Sequence, residues 1–190
     1  MKRLCLLFAI FTTISISHGL AFQPLFDTRI DYMTGIGPAS IYVADFDGDG
    51  LVDLATANDG SNNVSILKSN RDGTFEAASN YSVGSMPFSV LAIDLDGDGD
   101  KDLAVACTGS NSVSVLINNG DGTFQIAINY GVSRGPNSVF TADLDGDNFP
   151  DLVTANTDTN NISILKNNGD GTFQAAVNYR VSKNSSSVFA

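Results

Sequence analysis

Twelve aspartates fall into three sets of four with the same internal spacing. Asp45, Asp47, Asp49 and Asp53 stand at positions 1, 3, 5 and 9 of one loop. Asp94, Asp96, Asp98 and Asp102 repeat the pattern, and so do Asp143, Asp145, Asp147 and Asp151. Alternate residues of an extended segment point to one side, so the first three carboxylates of each set converge. Gly50 and Gly99 at position 6 let the backbone turn sharply, and Asn148 at that place tolerates the left-handed region better than most residues. The turn aims the position-7 carbonyls of Leu51, Asp100 and Phe149 inward and brings the position-9 aspartate round. Each of these donors is a hard oxygen, and no His or Cys stands nearby, which argues against zinc and copper. Calcium accepts such a crowded, flexible oxygen shell, whereas magnesium holds to a strict octahedron. Four carboxylates packed together with no cation would repel one another. A solvated acidic turn that binds nothing is the bland alternative, and three copies with one ligand spacing weigh against it. An EF-hand is excluded, because that loop needs Glu at position 12 and helices on both sides, and position 12 here is Thr56, Val105 and Thr154.

The spacing between sets defines a repeat of 49 residues without insertion or deletion. Phe26, Phe75, Phe124 and Phe173 keep the step, and so do Tyr32, Tyr81, Tyr130 and Tyr179. A period this strict signals stacked or radial copies of one supersecondary unit. Each unit reads as four short strands. The first precedes the loop (Ile41–Ala44, Val90–Ile93, 139–142) and is apolar enough to be buried on both faces. The second follows the loop, as in Leu103–Ala106. The third alternates, as in Val64-Ser65-Ile66, and is expected to be half-buried with its serine face solvated. The fourth is expected to run from the repeated Phe through the repeated Tyr, as in Phe124–Tyr130. Asn118-Asn119-Gly120-Asp121-Gly122-Thr123 is tight-turn chemistry, and 167–172 repeats it. No segment after residue 21 holds a helical period. An all-β chain of four-stranded antiparallel units fits β-propeller blades, and a β-solenoid, whose coils are shorter, is the rival.

At these residues the sequence resembles the FG-GAP-like (VCBS) repeat family, the blades of integrin-alpha-type β-propellers. The motif reads Ala92-Ile93-Asp94-Leu95-Asp96-Gly97-Asp98-Gly99, then Asp102-Leu103, then Asn118 to Phe124. The resemblance covers residues 26–190 and implies calcium-loaded blades whose metal loops lie away from a partner-binding face. Two departures are Asn148 for the loop glycine, and Ser69-Asn70-Arg71-Asp72 where the other copies have Asn-Asn-Gly-Asp. Ser187-Val188-Phe189-Ala190 echoes Ser138-Val139-Phe140-Thr141, so a fourth unit is expected to begin there and be cut short. Family propellers have about seven blades, so an incomplete propeller is expected, with open blade edges that invite self-association.

The remaining features bear on export and function class. Lys2 and Arg3, the apolar run from Leu4 to Ile16 and the small residues Ser17, Gly19 and Ala21 have the layout of a signal peptide over residues 1–21, with the repeat region over 22–190. The run falls short of the roughly 20 residues that cross a bilayer, and no later stretch is apolar enough, so no membrane span is expected after cleavage. Cleavage would leave 8 basic residues against 21 acidic ones, a net charge of −13, and Cys107 as the sole cysteine. Cys107 is expected to sit in a strand as a small apolar residue. Nucleic acid is an unsuitable partner for so acidic a chain. The one histidine, His18, lies in the signal segment, so the exported chain has no Ser-His-Asp or Cys-His arrangement. These features point to a secreted, non-catalytic calcium-binding module for adhesion or recognition of an extracellular protein or glycan. The alternatives are a lectin-like propeller or an accessory domain of a larger secreted enzyme.

Overall fold

A computed structural model describes residues 30–181. The predicted signal segment and the expected start of a fourth unit lie outside the described residues. The chain divides into Met1–Asp31 and a compact unit, Tyr32–Ala190. The latter contains twelve strands and no helix among the described residues. The first sheet holds β1 (Pro38–Ala44), β2 (Asp53–Asn58), β3 (Asn63–Leu67) and β4 (Ser79–Ser82). The second holds β5 (Pro87–Ile93), β6 (Asp102–Cys107), β7 (Ser112–Leu116) and β8 (Ile128–Gly131). The third holds β9 (Pro136–Ala142), β10 (Asp151–Asn156), β11 (Asn161–Leu165) and β12 (Val177–Arg180). Each is an antiparallel meander in chain order. The first strands of neighbouring sheets lie side by side. The Ser40 hydroxyl accepts from the Val90 N–H at 3.4 Å, and that of Ser89 from the Val139 N–H at 3.4 Å. These are propeller blades, and the three described sheets do not close a ring.

Two cores fill the spaces between blades. On β6, Leu103, Val105 and Cys107 face the first sheet, while Ala104 and Ala106 face the third. Both sides are apolar, so the strand is buried throughout, as is β10. Each interface also stacks the repeated tyrosine of one unit edge-on against the phenylalanine of the next: Tyr81 on Phe124 at 5.4 Å, Tyr130 on Phe173 at 5.5 Å.

Three strand expectations change. First strands are not uniformly buried: Ile41 is 58% exposed while its counterparts Val90 and Val139 are 4% and 6% exposed. The outer face of β1 has no neighbouring blade among the described residues. Fourth strands begin later than the phenylalanine, at Ser79, Ile128 and Val177, and Phe75, Phe124 and Phe173 make only isolated bridges to Ser69, Asn118 and Asn167. The serines of the third strands are not solvated, for Ser65, Ser114 and Ser163 are fully buried. Asn58 Nδ2 donates to Ser65 Oγ (2.8 Å), which donates to Asn80 Oδ1 (2.6 Å) and accepts from the Gly35 N–H (2.9 Å). Asn156, Ser163 and Asn178 repeat the line. A buried hydroxyl is tolerated only when so partnered.

Cys107 occupies the place of Asn58 and Asn156 in the repeat. It is buried in β6, but its thiol lies 3.3 Å from Ser114 Oγ, and burial raises its pKa. It is therefore the weak member of a polar line as well as a small core residue. Cys107→Asn is expected to restore the stronger hydrogen bonds of the other blades. Urea unfolding should show a gain of about 1 kcal/mol. A loss of that size would mean that the middle blade cannot admit the larger side chain.

Candidate metal centre

The loop between the first and second strands of each sheet is held by its own carboxylates. In the first, Asp45 accepts the Gly48 and Gly50 N–H groups at 2.8 and 2.9 Å, and Asp49 accepts that of Leu51 at 2.8 Å. Asp94 and Asp143 take the same amides in their loops. The reversal needs positive φ at position 6: Gly50 has 83°, Gly99 98°, and Asn148 70°. Asn148 thus adopts the conformation the glycines adopt, as expected.

The position-9 aspartates are buried and tie the loop to the following hairpin turn. Asp53 Oδ2 accepts from the Phe46 N–H (3.0 Å) and its Oδ1 from that of Ser69 (2.7 Å). Asp102 accepts from Leu95 and Asn118, both at 2.8 Å, and Asp151 from Leu144 and Asn167 at 3.2 and 2.9 Å. Each oxygen keeps a second lone pair for another partner.

Three groups of carboxylates come together, with oxygens within 4.8 Å of one another: Asp45, Asp47 and Asp53; Asp94, Asp96 and Asp102; and Asp143, Asp145 and Asp147. Asp49, Asp98 and Asp151 of the expected sets fall outside these groups. Asp49 and Asp98 instead accept the position-7 amides of Leu51 and Asp100, and Asp147 accepts that of Phe149. The donor set in all three is carboxylate oxygen alone, which fits a hard cation such as calcium and no soft metal. If an ion binds, these residues hold it.

Burial and neighbouring carboxylates shift several groups. Burial, opposed by the Asn118 and Leu95 amides, pushes Asp102 up to about 6, with help from the charges on Asp96 and Asp98. Burial raises Asp53 and Asp96 as well. A carboxyl raised in the folded state binds its proton more tightly there than in the unfolded chain. Its ionisation therefore destabilises the fold as pH rises from about 4 through 6. In chelator, the chain is expected to be more stable at pH 5 than at pH 7, by on the order of 1 kcal/mol from Asp102. Saturating calcium should abolish or reverse the difference, since it favours the ionised form. Thermal melts at both pH values, with and without chelator, read this directly.

Residues beyond the expected ligands complete the site. Asn118 Nδ2 donates to the Phe46 carbonyl of the preceding loop (2.8 Å) and to the Lys101 carbonyl of its own (3.1 Å), while its Oδ1 accepts the Gly120 and Gly122 amides. Asn167 does the same toward Leu95 and Pro150. Each buried asparagine thus clamps two loops across a blade boundary. In the sequence it stands out only as the first residue of a turn repeated 49 residues apart, with no sign of the contact across the blade boundary. The boundary is tight: a methyl added to Gly122 (φ 74°) would lie 3.2 Å from Asp47 Cβ, and one on Gly171 3.2 Å from Asp96 Cβ. The first two loops are covered in this way. Phe46 and Leu95 are 1% and 0% exposed, whereas Leu144 of the third loop is 50% exposed.

A model of the FG-GAP-like repeat matches the chain three times, over residues 45–105, 94–154 and 143–190. The chain belongs to the FG-GAP-like repeat family. No curated protein matches it. Among solved structures, it is similar to an Agrocybe aegerita lectin described as recognising non-reducing terminal N-acetylglucosamine, at 30% identity and a TM-score of 0.50. That match covers 71% of this chain and 36% of the lectin. The Tc holotoxin pore of Photorhabdus luminescens also matches, at 25% identity and a TM-score of 0.46, over 75% of this chain and 7% of that one. The FG-GAP-like chain thus spans about a third of the lectin and a small part of the toxin.

Proposed function

We propose that this FG-GAP-like chain is exported and acts as a non-catalytic, calcium-binding recognition module. One observation carries the reading: an all-carboxylate group forms in the same loop of all three blades, from positions 1, 3 and 9 in the first two and 1, 3 and 5 in the third, each with oxygens within 4.8 Å. Calcium would neutralise each group, and in the first two loops it would tie the loop to Asp53 or Asp102, the position-9 aspartate that anchors the next turn. Calorimetric titration of the exported chain is expected to show about three sites for calcium and weaker binding of magnesium. No heat of binding in millimolar calcium would overturn the reading, and turnover in a hydrolase screen would overturn its non-catalytic part.

A glycan is a second reading for the recognised partner, supported by the likeness to a lectin and by a groove. The groove, about 350 Å³, lies where the second blade meets the first, and its lining includes Asn80, Tyr81, Phe124, Gln125 and Ile126. Ile126 is 94% exposed and the half-buried Tyr81 lies over the core residue Phe124 beside it, next to the amide side chains of Asn80 and Gln125 that can hydrogen-bond hydroxyls. A glycan array probed with and without chelator tests it. Binding lost in Tyr81→Ala would support the groove, and a blank array would favour a protein partner.

A further inference from the structure

The three acidic groups are not equivalent, and the difference lies in one repeated position. Lys68, Ile117 and Lys166 each stand one residue beyond the third strand of their sheet. Lys68 and Ile117 hold the same place beside their loops: a methyl on Gly122 would meet Lys68 Cε at 2.7 Å, and one on Gly171 would meet Ile117 Cδ1 at 2.7 Å. The Lys68 ammonium lies 3.4 Å from Asp47 Oδ2 and donates to the Asp121 carbonyl of the next blade's turn. Lys166 pairs with Asp145 and lies 3.7 Å from Asp147 Oδ2. Ile117 brings no charge to the middle loop, which also carries a fifth aspartate, Asp100. Lys101 is exposed and forms none of the ion pairs found among the described residues.

We propose that Lys68 and Lys166 are tethered counter-ions that compete with the divalent cation, so that the middle loop fills first and the outer two fill later. The inference rests on the calcium reading above. An ammonium at this range already neutralises part of the carboxylate field. An entering divalent ion must displace it or bear its repulsion, which at partly solvated sites amounts to about tenfold in affinity per lysine. The lysine is flexible and swings away, so the outer loops are weakened rather than closed. The third loop is the more solvent-open of the outer two, with Asp143 and Asp145 exposed, and there screening adds to the loss. At low calcium Lys68 straps the first loop to the second blade's turn through the Asp121 carbonyl. At high calcium the ion takes over the neutralising role.

Calorimetric calcium titration of the exported chain tests this without reference to any activity. The unmodified chain is expected to show one tight site and two that are at least about tenfold weaker. Ile117→Lys should remove the tight class. Lys68→Ile combined with Lys166→Ile should draw the outer sites up to it. Arg180→Gln, at the end of the third sheet remote from its loop, removes one positive charge and should leave the two classes apart. Because Ile117 is half-buried and its lysine variant can fail to fold, the pair Lys68→Ile and Lys166→Ile, which brings in the residue the middle blade already carries there, decides the matter alone. Calcium binding in a single class that neither change alters would overturn this inference and leave the calcium reading standing. No binding in any form would overturn both.

Discussion

If the proposed calcium sites are filled, removal of calcium is expected to lower the melting temperature of residues 22–190 by about 20 °C. At a calcium concentration a hundred times the Kd of the weaker sites, each site stabilises the folded state by at least about 2.7 kcal/mol, so three filled sites contribute about 8 kcal/mol or more. For a domain of this size each kcal/mol moves the midpoint by about 2–4 °C. The effect is large here because the cation has much to offset. The buried Asp102 is pushed up to about 6, and each group sets three carboxylates within 4.8 Å. No disulfide is available to compensate, since Cys107 is the one cysteine among the described residues and is unpaired. Differential scanning calorimetry in millimolar calcium and in excess chelator reads the shift. Superimposable melts would remove any structural role for the metal.

Replacing Asp102 should be the most damaging single change. Its side chain is fully buried and accepts the Leu95 and Asn118 amides, fixing the middle loop to the turn that clamps two blades. Asp102→Ala leaves both buried N–H groups unpartnered, each costing about 1–3 kcal/mol, so about 4 kcal/mol should be lost even in chelator. Asp102→Asn separates anchoring from metal binding. Its amide oxygen accepts one N–H while its NH2 faces the other, a cost of about 1–3 kcal/mol that loss of the strained buried charge offsets, so in chelator it should lose clearly less than Asp102→Ala. In calcium it should forfeit most of the increment from the middle site. Asp49→Ala, on the exposed rim and outside the converged group, should stay within about 0.5 kcal/mol of the unmodified chain in chelator. Urea melts of the three variants with and without calcium decide between these roles. If Asp102→Asn kept the whole calcium increment, the position-9 aspartate would be an anchor only.

The strict 49-residue step of Asp, Phe and Tyr was enough to reveal the fold class and the loop positions, because both depend on local chemistry. Alternating aspartates converge wherever the chain is extended, and Gly50, Gly99 and Asn148 at position 6 turn it by their own backbone preference. Short apolar runs between turn residues form strands in any blade. What the sequence could not reveal depends on which side of a strand faces another blade. Alternation at Val64-Ser65-Ile66 looks the same whether Ser65 meets water or Asn58 and Asn80; only the packing of adjacent units buries it. Ile41 and Val90 are like residues at one repeat position, yet one is open and the other buried, because only the second has a blade against that face. The clamp of Asn118 on the Phe46 carbonyl spans 72 residues, and no periodicity along the chain reports a bond between a turn and the loop of the preceding blade. Local spacing determined the candidate ligands, and the meeting of blades decided which of them are buried, anchored or paired with a lysine.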